Sequence, residues 1–460
     1  MKKLLLFLLF LLLVILTILC WKYCCKQSPV IKDQTIAPHV KTQLIVNFEN
    51  VPTAVQMADF TNKMAQLNIR IEKVCPCSPK LILLSSTIGV EINPDGDVKP
   101  PIKEDGGPKS GISRNYILDS MSVDKENRDF VDQNPQPSPS KGEVVMSIID
   151  SGVDFDNVSL NPYLHKNPTG SRCCGTTYLD GKYGLNMLDL ITPVSEPVDE
   201  NGHGTFINGI VAGKAVVKSS GGAILATTDG NAGITIKQVN VSFVGGGTSQ
   251  GNLYDGLCGI HYSVSKKAKV INASWGLETF GPNINEMQVF IPTLREMIAN
   301  DVLLVASAGN HKIDFNTDAQ LRLAWPAAFS KSRTFNGTVF KSTDNVIAVG
   351  AWDLSSNNIA SFSNRGTNVV DIYAWGENIL STASRSSIYA GSRIDQGTSF
   401  AAPFVARTAA ILRGLNPRLS AKKIKETLIL NVESRPLPGS SSLPIGLLKQ
   451  SQAVINLPPI

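Results

Sequence analysis

Histidine is scarce in this chain, five in 460 residues, and several other absences narrow its reading before any motif does. The net charge of +5 is too mild for a nucleic-acid surface or a strongly acidic partner, so no nucleic acid is expected to bind. No EF-hand spacing occurs. No histidine stands near Cys75-Pro-Cys77 or Cys173-Cys174 to complete a zinc set, so no metal ligand and no cofactor is assigned. No internal repeat is visible, which sets aside solenoids and propellers. Of the eight cysteines, Cys20, Cys24 and Cys25 lie near the N-terminus, and Cys75, Cys77, Cys173, Cys174 and Cys258 form an odd set beyond it. Neighbours within each close pair stand too near for an ordinary bridge. A bridge between the two pairs is open, and spacing does not decide it.

The N-terminus lacks charge beyond Lys2 and Lys3. Leu4 to Trp21 is uncharged and almost wholly apolar, and as a helix it would span about 27 Å, close to a hydrocarbon core. It has no polar face, which excludes a helix of a soluble core and leaves a secretory signal or an anchor. No small-x-small cleavage site precedes Lys22, and Leu19 before Cys20 does not suit a lipoprotein site. Residues 1–26 therefore read as an uncleaved membrane anchor with the remainder exported, periplasmic or extracellular. Secretion after signal cleavage is the alternative.

Residues 42–92 read as a small α+β module: an alternating strand over Gln43–Phe48, a helix over Ala54–Leu67, then strands at Ile69–Val74 and Leu81–Leu84. Residues 93–140 turn polar and rich in Pro, Gly, Asp and Ser, a linker composition open to proteolysis. Residues 141–433 alternate apolar strands with helical stretches, the pattern of an α/β domain with a doubly wound parallel sheet. Strands are predicted at Val144–Ile149, Ile236–Phe243, Ala268–Asn272, Val302–Ala306 and Val346–Val349. Helices are predicted at Gly204–Val217, Gln250–Ser265, Asn285–Asn300 and Ser399–Arg413, with Pro292 kinking the third or marking its start. Ser420 should cap a last helix, Ala421–Leu430. The tail, 434–460, carries no assigned role.

Three segments carry chemistry. Asp150 ends the apolar run Val144-Val145-Met146-Ser147-Ile148-Ile149, His203 sits in Asn201-Gly202-His203-Gly204-Thr205, and Ser399 sits in Gly397-Thr398-Ser399-Phe400-Ala401-Ala402-Pro403. A hydroxyl near its free pKa is a poor nucleophile. A histidine that takes its proton, and a carboxylate that holds the resulting imidazolium, make it a competent one. Singly, Asp150 could start a turn, His203 could be a core histidine and Ser399 a helix cap; together those readings leave the shared pattern unexplained. Gly397-Thr398-Ser399 is not the Gly-x-Ser-x-Gly elbow of esterases. His39, His165, His261 and His311 read as ordinary surface or packing residues.

With these blocks the chain resembles the subtilisin-like serine proteases (subtilases, peptidase family S8) from about Gly142 to Glu433. Family-like segments lie between them: Ala268 to Gly276, Val305 to Asn310, Asn345 to Ala351 and Ser361 to Gly366. The resemblance implies a subtilisin-type sheet and a serine endopeptidase working through Asp150, His203 and Ser399 by way of an acyl-enzyme. It also implies Asn310 as oxyanion donor, where composition alone would read a Gly-Asn turn. Ser274, Trp275, Gly276 and Ala306, Ser307, Ala308, Gly309 would flank an extended protein or peptide substrate, and their small side chains suit a broad or apolar preference. The module at 42–92 is loosely similar to subtilase propeptides, which implies a folding aid or inhibitor; a spacer is the bland alternative. Subtilases often bind structural Ca²⁺, for which no ligands are placed here. The chain departs from the family pattern at Phe206, Asn208 and Trp375, which keeps a second reading open: a catalytically silent, membrane-tethered binding or scaffold protein.

Overall fold

A computed structural model of the chain describes residues 38–87, 110–120 and 141–456, less short stretches at 177, 189–193, 229, 245–249, 280, 319–321, 336–337, 385–390 and 436–444. The expected anchor lies outside the described residues. Among the described residues no helix is long and apolar enough to cross a membrane.

The run Val-Val-Met-Ser-Ile-Ile is apolar on both faces because both faces of its sheet are covered. It forms β5 (Gly142–Asp150). Around it a ten-stranded sheet assembles from β6 (Gly184–Asn186), β7 (Ile234–Ser242), β9 (Val270–Ala273), β11 (Leu303–Ser307), β13 (Val346–Asp353), β14 (Ile372–Trp375), β15 (Glu433–Arg435) and β16 (Ile445–Leu447). Their spatial order is β15-β16-β14-β13-β11-β9-β5-β7-β6, with Asn358–Ile359 against β13. All neighbours from β16 to β6 are parallel. After β5 the chain goes to β6 and β7 on one side, then crosses to β9 on the other. The crevice between the carboxyl ends of β5 and β9 is thus a topological switch point, where open α/β sheets bind their ligands. Asp150 ends one of these strands and Ser274 follows the other.

One face of the sheet is covered by α2 (His203–Val211), α5 (Thr398–Leu415) and α6 (Ala421–Leu430), with Ile148, Val270 and Leu303 packed against Phe206, Ile210, Val405 and Ile424. The other is covered by α3 (Leu253–Ser265) and α4 (Ile291–Ala299), with Ile149, Ile271 and Leu304 against Leu257, Ile260, Leu294 and Met297. Each such side chain stabilises the fold by about 1.5–3 kcal/mol. Ser420 caps α6 as expected, its Oγ accepting from Lys423 N at 3.1 Å. Pro292 marks the start of α4, which a 3₁₀ turn (Gly281–Phe290) precedes. The predicted helix 204–217 stops at Val211, because Gly213 takes φ +77° and Val216–Lys218 leaves as a strand.

The N-terminal module follows its expected plan. Strands β1 (His39–Phe48), β2 (Ile69–Cys75) and β3 (Ser78–Ser86) form an antiparallel sheet under α1 (Ala54–Gln66). Thr53 and Gln56 close a capping box at the start of α1, each side chain accepting from the other's backbone N–H. Leu44, Val46, Ile82 and Leu84 face Phe60 and Met64 of that helix. Ile45, Leu81 and Leu83 face the opposite way, into the core beneath α3 and α4.

One expectation is corrected, and one segment without an expectation gains structure. The stretch 93–140 is not wholly linker: Ser110–Ser120 is a strand, β4, paired antiparallel with β1. Its apolar side chains find two partners, the module and the larger domain, which a Pro- and Gly-rich neighbourhood conceals. The tail, 434–460, also has structure. It adds β16 and part of β15 to the sheet edge, and a short helix, α7 (Gln450–Ile455), buries Ala453 in the core.

Among the described residues the cysteines form two bridges, Cys75–Cys258 and Cys77–Cys174. Each joins the module to the larger domain. Cys173 stays a buried free thiol with its Sγ 3.4 Å from that of Cys77.

Candidate active site

Asp150 ends β5 with its carboxylate at the sheet's carboxyl edge, and α2 begins at His203 directly opposite. His203 Nδ1–H donates to Asp150 Oδ1 at 2.7 Å, with both side chains almost wholly buried. The same oxygen accepts from Ser151 N at 2.8 Å. These bonds fix the imidazole's tautomer and direction, leaving Nε2 buried and without a partner. The flanking glycines have separate tasks. Gly202 takes φ +98° to turn the chain into the helix. At Gly204 an added Cβ would lie 2.2 Å from Gly152 O, so α2 can approach β5 only with glycine there.

Ser399 is fully buried in the first turn of α5, where backbone N–H groups have no intrahelical acceptor and the helix dipole favours negative charge. Pro403 has no N–H for the carbonyl of Ser399 four residues back. Ser274 Oγ donates to that carbonyl instead at 2.6 Å, and Ser399 Oγ donates to Ser274 O at 3.0 Å. The hydroxyl therefore points to Ser274, and turning about its Cα–Cβ bond directs it elsewhere. The ring of Phe400, next in sequence, lies 5.2 Å from the His203 ring.

Asn310 joins the other three. Its Oδ1 accepts from Thr398 N and Thr398 Oγ1, both at 2.9 Å, so its amide is pinned by the residue before Ser399. Its Nδ2 is buried and unpartnered. Two orphaned nitrogens, His203 Nε2 and Asn310 Nδ2, thus border the helix start that carries Ser399. Buried polar atoms ordinarily have partners, so two exceptions side by side call for an explanation.

The expected substrate-flanking residues divide. Trp275 and Gly276 open β10 (Trp275–Thr279) and pair with Ser120 and Asp119 of β4. Ala306 and Ser307 end β11 within the sheet, Ala308 is buried in the core with Trp352 and Tyr373, and Gly309 takes φ +98°. The departures from the family pattern prove to be packing residues. Phe206 lies 4.6 Å from the Phe400 ring, Trp375 packs edge-on to Phe404, and Asn208 Nδ2 donates to Gly204 O and Asn240 Oδ1.

Asp199 was not singled out from the sequence, yet it organises the histidine loop. Its Oδ1 accepts from Ser151 Oγ, Asn201 N and Gly202 N, and its Oδ2 from Thr205 N and Thr205 Oγ1. Ser151 Oγ in turn accepts from Gly204 N at 2.8 Å. The available signal was an acidic residue just ahead of a helix start, a capping pattern. His311, ordinary by its sequence context, donates through Nδ1 to Glu278 Oε1 at 2.8 Å, and that bond raises its pKa above the usual histidine value.

A family model described as Peptidase_S8, the subtilase family, matches residues 141–444. The chain belongs to the subtilase family. Among its relatives, subtilisin-like protease 1 of Plasmodium berghei (strain Anka) is 27% identical over 299 residues, covering 61% of this chain and 44% of that protein. Subtilisin-like protease PopC of Myxococcus xanthus (strain DK1622) is 28% identical over 269 residues, covering 54% of this subtilase and 49% of PopC. The subtilase thus spans less than half the length of either relative. Fervidolysin from Fervidobacterium pennivorans, a keratinolytic enzyme related to subtilisin, shares the fold with TM-score 0.57 at 18% identity, over 94% of this chain and 64% of that one.

Proposed function

We propose that this subtilase is a serine endopeptidase in which Ser399 is the nucleophile, His203 the general base and Asp150 its orienting carboxylate. The observation that carries the reading is the buried Asp150–His203 bond, which leaves His203 Nε2 unpartnered beside the α5 start that bears Ser399. Ser399 Oγ swings from Ser274 O to His203 Nε2, yields its proton and attacks the scissile carbonyl. The oxyanion takes hydrogen bonds from Asn310 Nδ2 and the Ser399 backbone N–H. His203 then protonates the leaving amine, and water hydrolyses the acyl-enzyme by the same steps reversed.

The substrate is a protein or peptide bound as an extended strand against Trp275–Gly276, with Ser274 and Ala306–Gly309 shaping the site beneath it. Its preference is broad or apolar. A peptide-library digest showing strict cleavage after Lys or Arg would contradict that. The N-terminal module acts as an inhibitor: β4 pairs with β10 where the substrate strand would lie. Membrane anchoring through residues 1–26 and export of the protease remain part of this reading, tested by fractionating cells that express the full chain.

The test of the chemistry is turnover of casein against a simple ester by the wild type, Ser399→Ala and His203→Ala. Either variant is expected to lose casein turnover by about 10⁶-fold. Casein turnover that survives Ser399→Ala sinks the assignment.

A further inference from the structure

β4 is held along both of its edges. Ile117, Leu118 and Asp119 pair with Asn252, Gly251 and Gln250 of β8 (Gln250–Asn252), while Asp119 and Ser120 pair with Gly276 and Trp275 of β10. The strand thus lies between two walls, ending beside Trp275, whose predecessor Ser274 is hydrogen-bonded to Ser399. Leu118 is wholly buried, and a Cβ on Gly256 would meet its Cδ1 at 3.2 Å.

The contact behind β4 is core-like as well. Ile45, Leu83 and Tyr116 of the module share one hydrophobic cluster with Leu257 and Phe290. Asn47 Nδ2 donates to Val289 O at 2.8 Å and Thr293 Oγ1 at 3.0 Å, and Arg114 makes a buried ion pair with Glu286. To this are added the two bridges among the described residues, Cys75–Cys258 and Cys77–Cys174, and each crosses from module to protease domain.

We propose that the module, residues 39–120, is a permanently bridged cover of the substrate groove, released only when both disulfides are opened and not by cleavage of the intervening chain. The inference rests on the protease reading. A cut between residues 120 and 141 would leave two polypeptides still joined at two points. The tether keeps β4 at an effective concentration of about millimolar whatever the enzyme dilution. Opening a bridge requires a dithiol reductant. One of its thiolates attacks a cysteine sulfur, the partner cysteine leaves as thiolate and takes a proton, and the second thiol expels the first cysteine and completes the reductant's own disulfide. The two bridges differ in access: Cys174 is exposed, whereas Cys75 and Cys258 are both buried, so the outer bridge opens first. Cys173 does not substitute for the reductant. Burial pushes its thiol up to about 12, which keeps it protonated beside the outer bridge.

The test uses the full chain, cut by limited proteolysis between residues 121 and 140, as wild type and as the Cys75→Ser/Cys77→Ser double variant. Non-reducing gels should show wild-type fragments migrating together and separating only after reduction. Specific activity of cut wild type should not change on dilution from micromolar to nanomolar. That of the double variant should rise at least tenfold as the module dissociates, and dithiol-treated wild type should follow it, which guards against a folding defect in the variant. Cut, bridged wild type as active as the diluted double variant would overturn the proposal, as would fragments that part without reduction. If no form turns over peptide or reacts with a fluorophosphonate while the gels still show bridged fragments, the protease reading falls and the gate falls with it.

Discussion

Asp199→Asn is the substitution whose consequences follow most directly from the geometry. The carboxylate accepts five hydrogen bonds, three at Oδ1 and two at Oδ2, all from groups that shape the loop before His203. Asparagine keeps one acceptor oxygen and sets an NH₂ donor against donors on the other side. With the remaining oxygen in the Oδ1 position, the Thr205 N–H and hydroxyl lose their acceptor inside a fully buried site. Each unsatisfied buried group costs about 1–3 kcal/mol, so the expected destabilisation from the two is about 2–6 kcal/mol. The damage extends to function. Thr205 lies in the first turn of α2, which His203 opens, and Ser151 is held by the same carboxylate next to Asp150. A shift of about 1 Å in such a frame costs about 10²-fold in rate. Urea unfolding and peptide turnover on the same preparations test both halves, with kcat expected to fall more than KM rises because the five bonds hold the loop that carries His203. A variant within 0.5 kcal/mol and twofold of wild type would refute the claim that Asp199 organises the site.

Other substitutions probe separate parts of the account. On the proposed oxyanion role, Asn310→Ala should lower kcat by about 10²–10³ with little change in KM, since its Nδ2 is buried without a partner. Glu286→Gln should cost about 3–5 kcal/mol in thermal or denaturant unfolding, because it leaves the Arg114 guanidinium buried without its countercharge. His311 should titrate above the ordinary value of about 6.5 in an NMR pH series, and Glu278→Gln should bring it back. Because its folded-state pKa is raised, the bond to Glu278 contributes stability below about pH 6.5 and loses it as pH climbs through the raised value.

The parts that were legible in the sequence are those governed by local pattern. Asp150, His203 and Ser399 announce themselves because a buried strand end, a glycine-bracketed helix start and a small-residue helix each leave a recognisable string. The module's strands, the Ser420 cap and the start of α4 at Pro292 follow from alternation, capping and a missing N–H. The parts that were not legible depend on distant partners. Ser110–Ser120 becomes a strand only because β1, β8 and β10 accept it, and its Pro- and Gly-rich flanks argue for a linker. Cys75 meets Cys258 from 183 positions away in the sequence, a pairing no spacing reveals. Asp199 looks like any acidic residue in a polar loop until Ser151 and Thr205 are seen to fold onto it. The edge strands of the tail exist because β14 leaves an unpaired edge for β16.

The central claim, an activated hydroxyl at Ser399, is tested most directly by fluorophosphonate labelling of the cut full chain with peptide mapping. Wild type, the Cys75→Ser/Cys77→Ser double variant and Ser399→Ala would be compared. The account predicts a label on Ser399, faster in the double variant than in bridged wild type, and none in Ser399→Ala. A double variant that stays unlabelled, or a label that persists in Ser399→Ala, would contradict it.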